Sequence, residues 1–169
     1  WEWSTQALQN EWYGEKSGYN YYSLYQYLDL FYDMEHNTDP ITDALLDRYD
    51  VLIIKTPTEP FSAGEISSIE RFVADGGGLF LIGDHTNVFG TSTNMNPIAR
   101  EFGLSFSNDA TYELTTGQLS EYEPPTIFPH PIVRRLPLFL FATSCSMDVS
   151  ANARAVIDAY GLKAMPADY

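Results

Sequence analysis

Two unbroken apolar runs, Val51-Leu52-Ile53-Ile54 and Leu79-Phe80-Leu81-Ile82, bracket a helical stripe, and this is the clearest pattern in the chain. Short continuous apolar runs of this kind belong to strands covered on both faces. Between them Ile66, Ile69, Phe72 and Val73 recur at helical spacing, so the intervening helix lies on a sheet. Ser62 and Glu65 have the spacing of a capping box, and Phe61 and Ile66 that of a hydrophobic staple. Gly76 supplies a left-handed stop. Strand, capped helix and strand together predict a βαβ unit with parallel strands and a right-handed crossover.

The pattern is weaker on either side. From Ser23, a candidate N-cap, Leu24, Tyr27, Leu28 and Phe31 follow helical spacing. His36-Asn37-Thr38-Asp39-Pro40 breaks it, and Thr42 to Arg48 predicts a short helix. Beyond the βαβ unit, Asn96 to Phe102 reads as a helix ended by Gly103, and Leu104-Ser105-Phe106 as a brief strand. Residues 108–129 are irregular, with Pro124-Pro125 inside them. His130-Pro131-Ile132-Val133 reads as a helical turn, and Leu138 to Ala142 and Ala153 to Ile157 as two more strands. The expectation is one domain over 1–169, with an aromatic helical part (1–48), a βαβ core (49–106), and an irregular segment with further strands (107–169).

Composition narrows the function classes. Hydrophobic residues make up 44% of the 169, enough to build a core. Twenty-three acidic against nine basic residues give a net charge of −14. Nucleic acid is therefore excluded as a partner, because binding phosphates needs clustered Lys and Arg. Cys145 is the single cysteine, so an intrachain disulfide is excluded. No apolar run approaches the roughly 20 residues of a membrane span. The chain starts at Trp1 without a signal-like segment and reads as a piece of something longer, cut short at its C-terminal end.

The candidate chemistry stands where the second strand ends. Asp84-His85-Thr86-Asn87 follows Ile82-Gly83 directly, and ligands of open α/β sheets bind at the carboxyl ends of strands. Asp84 is placed to hold His85, the side chain that titrates near neutrality. Thr56 and Thr58 leave the neighbouring strand toward the same crevice, and His130 can approach it from the irregular segment. That set also permits a two-histidine, one-carboxylate metal site from His85, His130 and Asp84 or Asp109, though no spacing is diagnostic and no cofactor is implied. A nucleophile elbow would need Ser or Cys at the turn, and neither is there. Cys145 reads as a small buried hydrophobe in a chain too acidic to activate a thiol. The N-terminal Trp and Tyr cluster, Trp1 to Tyr32, reads first as a packing face with an amphipathic surface, and its flat rings also offer faces on which a sugar would stack.

The runs Tyr49 to Ile54 and Phe72-Val73-Ala74-Asp75-Gly76-Gly77-Gly78 through His85 resemble the class I glutamine-amidotransferase-like superfamily. Within it they are most similar to a branch that includes gliding-motility ABC-transporter auxiliary domains and the N-terminal domain of an intraflagellar-transport protein. The resemblance covers residues 49–106. It implies a flavodoxin-like three-layer α/β sandwich with a mostly parallel sheet, and a nucleophilic Cys after the second strand. Asp84-His85 stands there instead, so the chain reads as non-catalytic. The resemblance then implies a sugar- or peptide-binding or protein-interaction domain, extracytoplasmic and tethered to a membrane outside these residues. Its ligand-binding residues would be Thr56, Thr58, Asp84, His85, Thr86, Asn87 and His130. The alternative is a hydrolase using Asp84 and His85, with a metal recruited through His130.

Overall fold

The computed structural model describes residues 22–112, 119–159 and 162–165. The chain divides into two compact units, Trp1–Ile41 and Thr42–Tyr169. In the first, helix α1 spans Tyr22–Asp29, so Ser23 lies inside the helix and not at its cap. Tyr27 and Phe31 meet edge to face with ring centroids 5.4 Å apart, and the Tyr25 hydroxyl donates to the Met34 carbonyl at 3.2 Å.

The second unit opens with α2 (Asp43–Leu46), whose N-cap Thr42 accepts from the Leu45 N–H through Oγ1 at 3.2 Å. Strand β1 (Val51–Lys55), helix α3 (Ala63–Ala74) and strand β2 (Gly78–Ile82) follow. The capping box forms as its spacing predicts: Ser62 Oγ accepts from Glu65 N–H, and Glu65 Oε2 accepts from Ser62 N–H at 2.8 Å. Gly76 takes the left-handed backbone, φ 105°, that lets the chain leave the helix. β1 and β2 pair in parallel, Val51 against Gly78 through Lys55 against Ile82. Arg71 on α3 holds Asp43 on α2 through two guanidinium contacts of 2.9 Å to its carboxylate oxygens. That donor beside it holds the Asp43 carboxyl below the usual carboxylate range.

Parallel pairing stops at these two strands, and this corrects the expected three-layer flavodoxin-like sandwich. Helix α4 (Thr91–Glu101) leads to β3 (Leu104–Phe106), but β3 does not join β2. It pairs antiparallel with β8 (Met147–Val149), Phe106 opposite Met147. The physical reason lies at Phe106. The Asn96 side chain on α4 accepts from the Phe106 N–H at 2.8 Å and donates to the Phe106 carbonyl at 2.9 Å. Within a strand these two groups of one residue point the same way, so a side-chain amide fills the edge that a further parallel strand would use.

The remaining strands are two or three residues long and antiparallel. β4 (Ala110–Tyr112) lies between β7 (Thr143–Ser144) and β9 (Lys163–Met165), and β5 (Ser120–Tyr122) pairs with β6 (Phe139–Phe141). β6 realises the strand expected over Leu138 to Ala142. The one expected over Ala153 to Ile157 reduces to a single bridge between Ile157 and Ile127. Pro131–Val133 forms a 3-10 turn, as expected. The core of this unit gathers Ile54, Ile69, Met95, Ile98, Ala99 and Phe106, all 6% exposed or less. α4 contributes three of the six, which fixes its start, and the turn before it, against the sheet.

Candidate functional site

The parallel register brings the carboxyl ends of β1 and β2 side by side, with Lys55 opposite Ile82. The next residue of β1's chain, Thr56, sits in the left-handed region at φ 49°. β-branched residues rarely adopt that conformation. Thr56 is buried, and its Oγ1 has no hydrogen-bond partner. Leaving such a hydroxyl unpaired costs about 1–3 kcal/mol.

Beyond β2 the chain passes Gly83, where the ring of Phe106 lies, and enters a series of tight turns over His85–Gly90. Asp84, in extended backbone, caps them: its Oδ1 accepts from the His85 N–H at 2.7 Å. His85 Nδ1 and Thr86 Oγ1 share a hydrogen bond of 2.8 Å. Its Nε2 stands 3.8 Å from Asp84 Oδ1, beyond hydrogen-bond distance. Thr86, Asn87 and Phe89 all have left-handed φ, at 52°, 49° and 54°. Bonds from outside the turn hold the first two there. The Thr86 N–H donates to the Asp109 carbonyl at 2.8 Å. Asn87 clasps Thr93 on α4, accepting from its N–H at 3.0 Å and donating to its Oγ1 at 2.9 Å. The Asp109 carboxylate in turn accepts from both the N–H and the Oγ of Ser146, each at 2.8 Å.

Two titratable groups border this cluster. Burial pushes the Lys55 amine below its ordinary value, and the Asp84 charge opposes that shift. Burial pushes the Cys145 thiol up, and the Asp109 charge pushes the same way. Only a thiolate is a nucleophile, so this environment keeps Cys145 inert. A raised folded-state value means the folded protein keeps a proton that the unfolded chain loses above the ordinary thiol value. Stability from this group is therefore complete below that value and falls as pH rises through the folded one. Urea midpoints measured from neutral to alkaline pH should fall less steeply in Cys145→Ala than in the parent. Identical slopes would refute the assignment.

The structure gathers Asp84, His85, Thr86 and Asn87 into one bonded turn at the end of β2, with Thr56 at the adjoining end of β1. Thr58 is exposed, and no side-chain bond ties it to the turn. His130 caps its own 3-10 turn, its Nδ1 accepting from the Ile132 N–H at 3.3 Å. Among the described residues no three of His, Cys, Asp and Glu stand close enough to hold a metal ion, so His85, His130 and a carboxylate do not form the trio that the hydrolase alternative invokes. The aromatic cluster from Trp1 to Tyr21 lies outside the described residues. Sequence reasoning passed over Phe89, and over Asn94, whose Nδ2 donates to the Pro57 carbonyl at 2.9 Å and ties α4 to the loop after β1. The available signal was Asn94 and Asn96 within one helix, where asparagine is unfavourable unless its amide is engaged.

Comparison with known proteins places this geometry. The model of the IFT52 GIFT domain matches residues 5–116. Among solved structures, the mmIFT52 N-terminal domain superposes with a TM-score of 0.67 at 22% identity, covering 80% of this chain and 67% of that one, a likeness of fold. An uncharacterized protein of Aquifex aeolicus (strain VF5) is 34% identical over 65 residues, 38% of this chain and 28% of that protein. The chain thus spans little more than a quarter of that curated relative. The intraflagellar-transport side of the resemblance is borne out, whereas the glutamine-amidotransferase-like superfamily is carried by neither match. The same matches correct two further expectations, a carbohydrate-binding protein and an extracytoplasmic, membrane-tethered setting, since both lead to an intraflagellar-transport domain. Among the described residues, no helix is long and apolar enough to cross a membrane.

Proposed function

The chain belongs to the IFT52 GIFT domain family, and on that premise we propose that it is a non-catalytic domain that binds other proteins of an intraflagellar-transport-like assembly. Its recognition surface is the turn at the carboxyl ends of β1 and β2, with Thr56, Thr58 and Asp84 to Asn87 around it.

The observation that carries this reading is Phe89. It is 57% exposed, and its backbone is left-handed. A non-glycine residue in that region costs of order 1 kcal/mol and persists only where its surroundings over-determine it. Here the clasps on Thr86 and Asn87 hold the turn that carries it. The Asp84 carboxylate holds a backbone N–H, and His85 Nδ1 is tied to Thr86. What the turn offers outward is an exposed aromatic ring, of a residue type enriched at protein interfaces.

Phe89→Gly separates the two roles. It relieves the left-handed backbone, so the unfolding free energy should hold steady or rise by about 1 kcal/mol in a urea titration. Zero-length carboxyl-to-amine coupling in cells of the native source should join the parent chain to lysines of other proteins, and Phe89→Gly should lose those products. Equal coupling by parent and variant would overturn the surface assignment. Turnover of ester or phosphoester substrates that disappears in Asp84→Asn would overturn the non-catalytic reading.

A further inference from the structure

The two-stranded sheet of β3 and β8 has one sealed edge and one open edge. Asn96 occupies the outer side of β3 at Phe106. The ladder fixes which groups of β8 face the other way. The Gly103 carbonyl accepts from the Ser150 N–H at 2.8 Å, and the Ser146 carbonyl accepts from the Ser107 N–H at 2.9 Å, so Ser146 and Ser150 turn these groups toward the chain of β3. Backbone groups alternate in direction along an antiparallel strand. Met147 and Val149 therefore point theirs outward, and these N–H and carbonyl groups have no partner among the described residues. Every residue of β8 is exposed, which holds for none of β1, β2, β3, β5 or β6, and Met147 stands at 43% and Val149 at 47%. Asp148 lies exposed between them and has no ion pair among the described residues. Arg100, which lines the same shallow hollow beside β3, leaves it unpaired.

We propose that this edge takes up an extended segment of a partner protein as an added antiparallel strand, with apolar residues opposite Met147 and Val149 and a Lys or Arg opposite Asp148. The inference rests on the protein-binding reading but uses the β8 edge and not the Phe89 turn. The open groups select the form of the occupant. N–H and carbonyl groups two residues apart match the repeat of an extended chain, whereas a helix spends its own backbone groups internally. Strand alternation sets Asp148 on the opposite face from Met147 and Val149, so the added strand alternates apolar and basic residues. The net charge of −14 favours the same basic sign. A second copy is selected against. Pairing β8 with itself antiparallel over all three residues sets Asp148 directly opposite Asp148, and like charges so placed destabilise a sheet.

The probe is a labelled peptide of about seven residues that alternates Val and Lys, an ordinary strand length. One control replaces Lys with Glu, and a second keeps Lys but carries an N-methyl group on every Val. In a polarisation titration at low salt the full chain should bind the Lys peptide and leave the Glu peptide unbound. In antiparallel pairing the residues opposite Met147 and Val149 exchange the hydrogen bonds, so methylation of Val should weaken binding by about tenfold or more. Attraction by charge alone would survive it. Val149→Pro removes an outward N–H that the ladder does not use, a place where an edge strand accepts proline, and should weaken the Lys peptide by about tenfold. Asp148→Lys should reverse the preference between the Lys and Glu peptides, which keeps the test open if the proline variant does not fold. Phe89→Gly should bind the Lys peptide as the parent does, so failure here and failure of the Phe89 coupling experiment are read separately. Equal binding of the methylated peptide, unchanged affinity in a folded Val149→Pro, unchanged preference in Asp148→Lys, or binding of neither peptide would overturn the proposal. So would a dimer in sedimentation that Val149→Pro dissolves, because a second copy would then occupy the edge.

Discussion

Replacing Asn96 with alanine is expected to lower the unfolding free energy by about 2–5 kcal/mol, the largest single effect we anticipate. Phe106 is 6% exposed, and both its backbone hydrogen-bonding groups rest on the Asn96 amide. Truncation leaves a buried N–H and a buried carbonyl unpaired, at about 1–3 kcal/mol each. Alanine's better helix propensity offsets only a few tenths of a kcal/mol. A urea titration followed by far-UV circular dichroism measures the sum. Asn96→Asp sharpens the test: a carboxylate still accepts from the Phe106 N–H but cannot donate to its carbonyl, so its loss should fall between parent and alanine. A loss under about 0.5 kcal/mol in Asn96→Ala, the scale of an ordinary surface change, would show that the paired contact contributes nothing.

The second large effect is expected at Gly83. A Cβ there would stand 2.6 Å from two carbons of the Phe106 ring, closer than real side chains pack. Gly83→Ala must therefore move the ring or the end of β2, at about 1–3 kcal/mol. Phe106→Leu in the same chain gives the new methyl room and should recover part of that loss. The two changes should be non-additive because they act on one contact. Strict additivity in the double-mutant cycle would place the cost of Gly83→Ala elsewhere. Since Gly83 leads directly into Asp84, a displaced ring should also weaken the coupling products attributed to the Phe89 turn.

The parts of the fold readable in the sequence are those whose determinants are neighbours along the chain. The βαβ unit needs the Ser62–Glu65 box, one helical stripe and the Gly76 stop, all within 30 or so residues, and it forms as they predict. The position of the polar turn was legible for the same reason, since a polar run following a strand marks the strand's end. The extent of the sheet was not. It turns on one amide, Asn96, reaching a strand ten residues later, and apolar periodicity carries no trace of such a bond. The bracing of the turn was equally hidden, because Asp109 and Ser146 lie 37 residues apart. Ala153 to Ile157 misled because a five-residue strand signal says nothing about whether a partner edge is free. His130 was placed by chemistry alone, and its neighbour Pro131 commits it to capping a turn.

The Asn96 amide has a consequence for how copies of this chain behave when crowded. A strand edge with free N–H and carbonyl groups is a template on which another polypeptide can lay itself down. At Phe106 that template is occupied by a side chain from the same molecule, a stopper one residue long. A variant lacking it would expose a short unguarded ladder beside a large aromatic ring, the combination from which strand-to-strand polymers start. The residue that closes this edge of β3 within one molecule thus also closes it to the next.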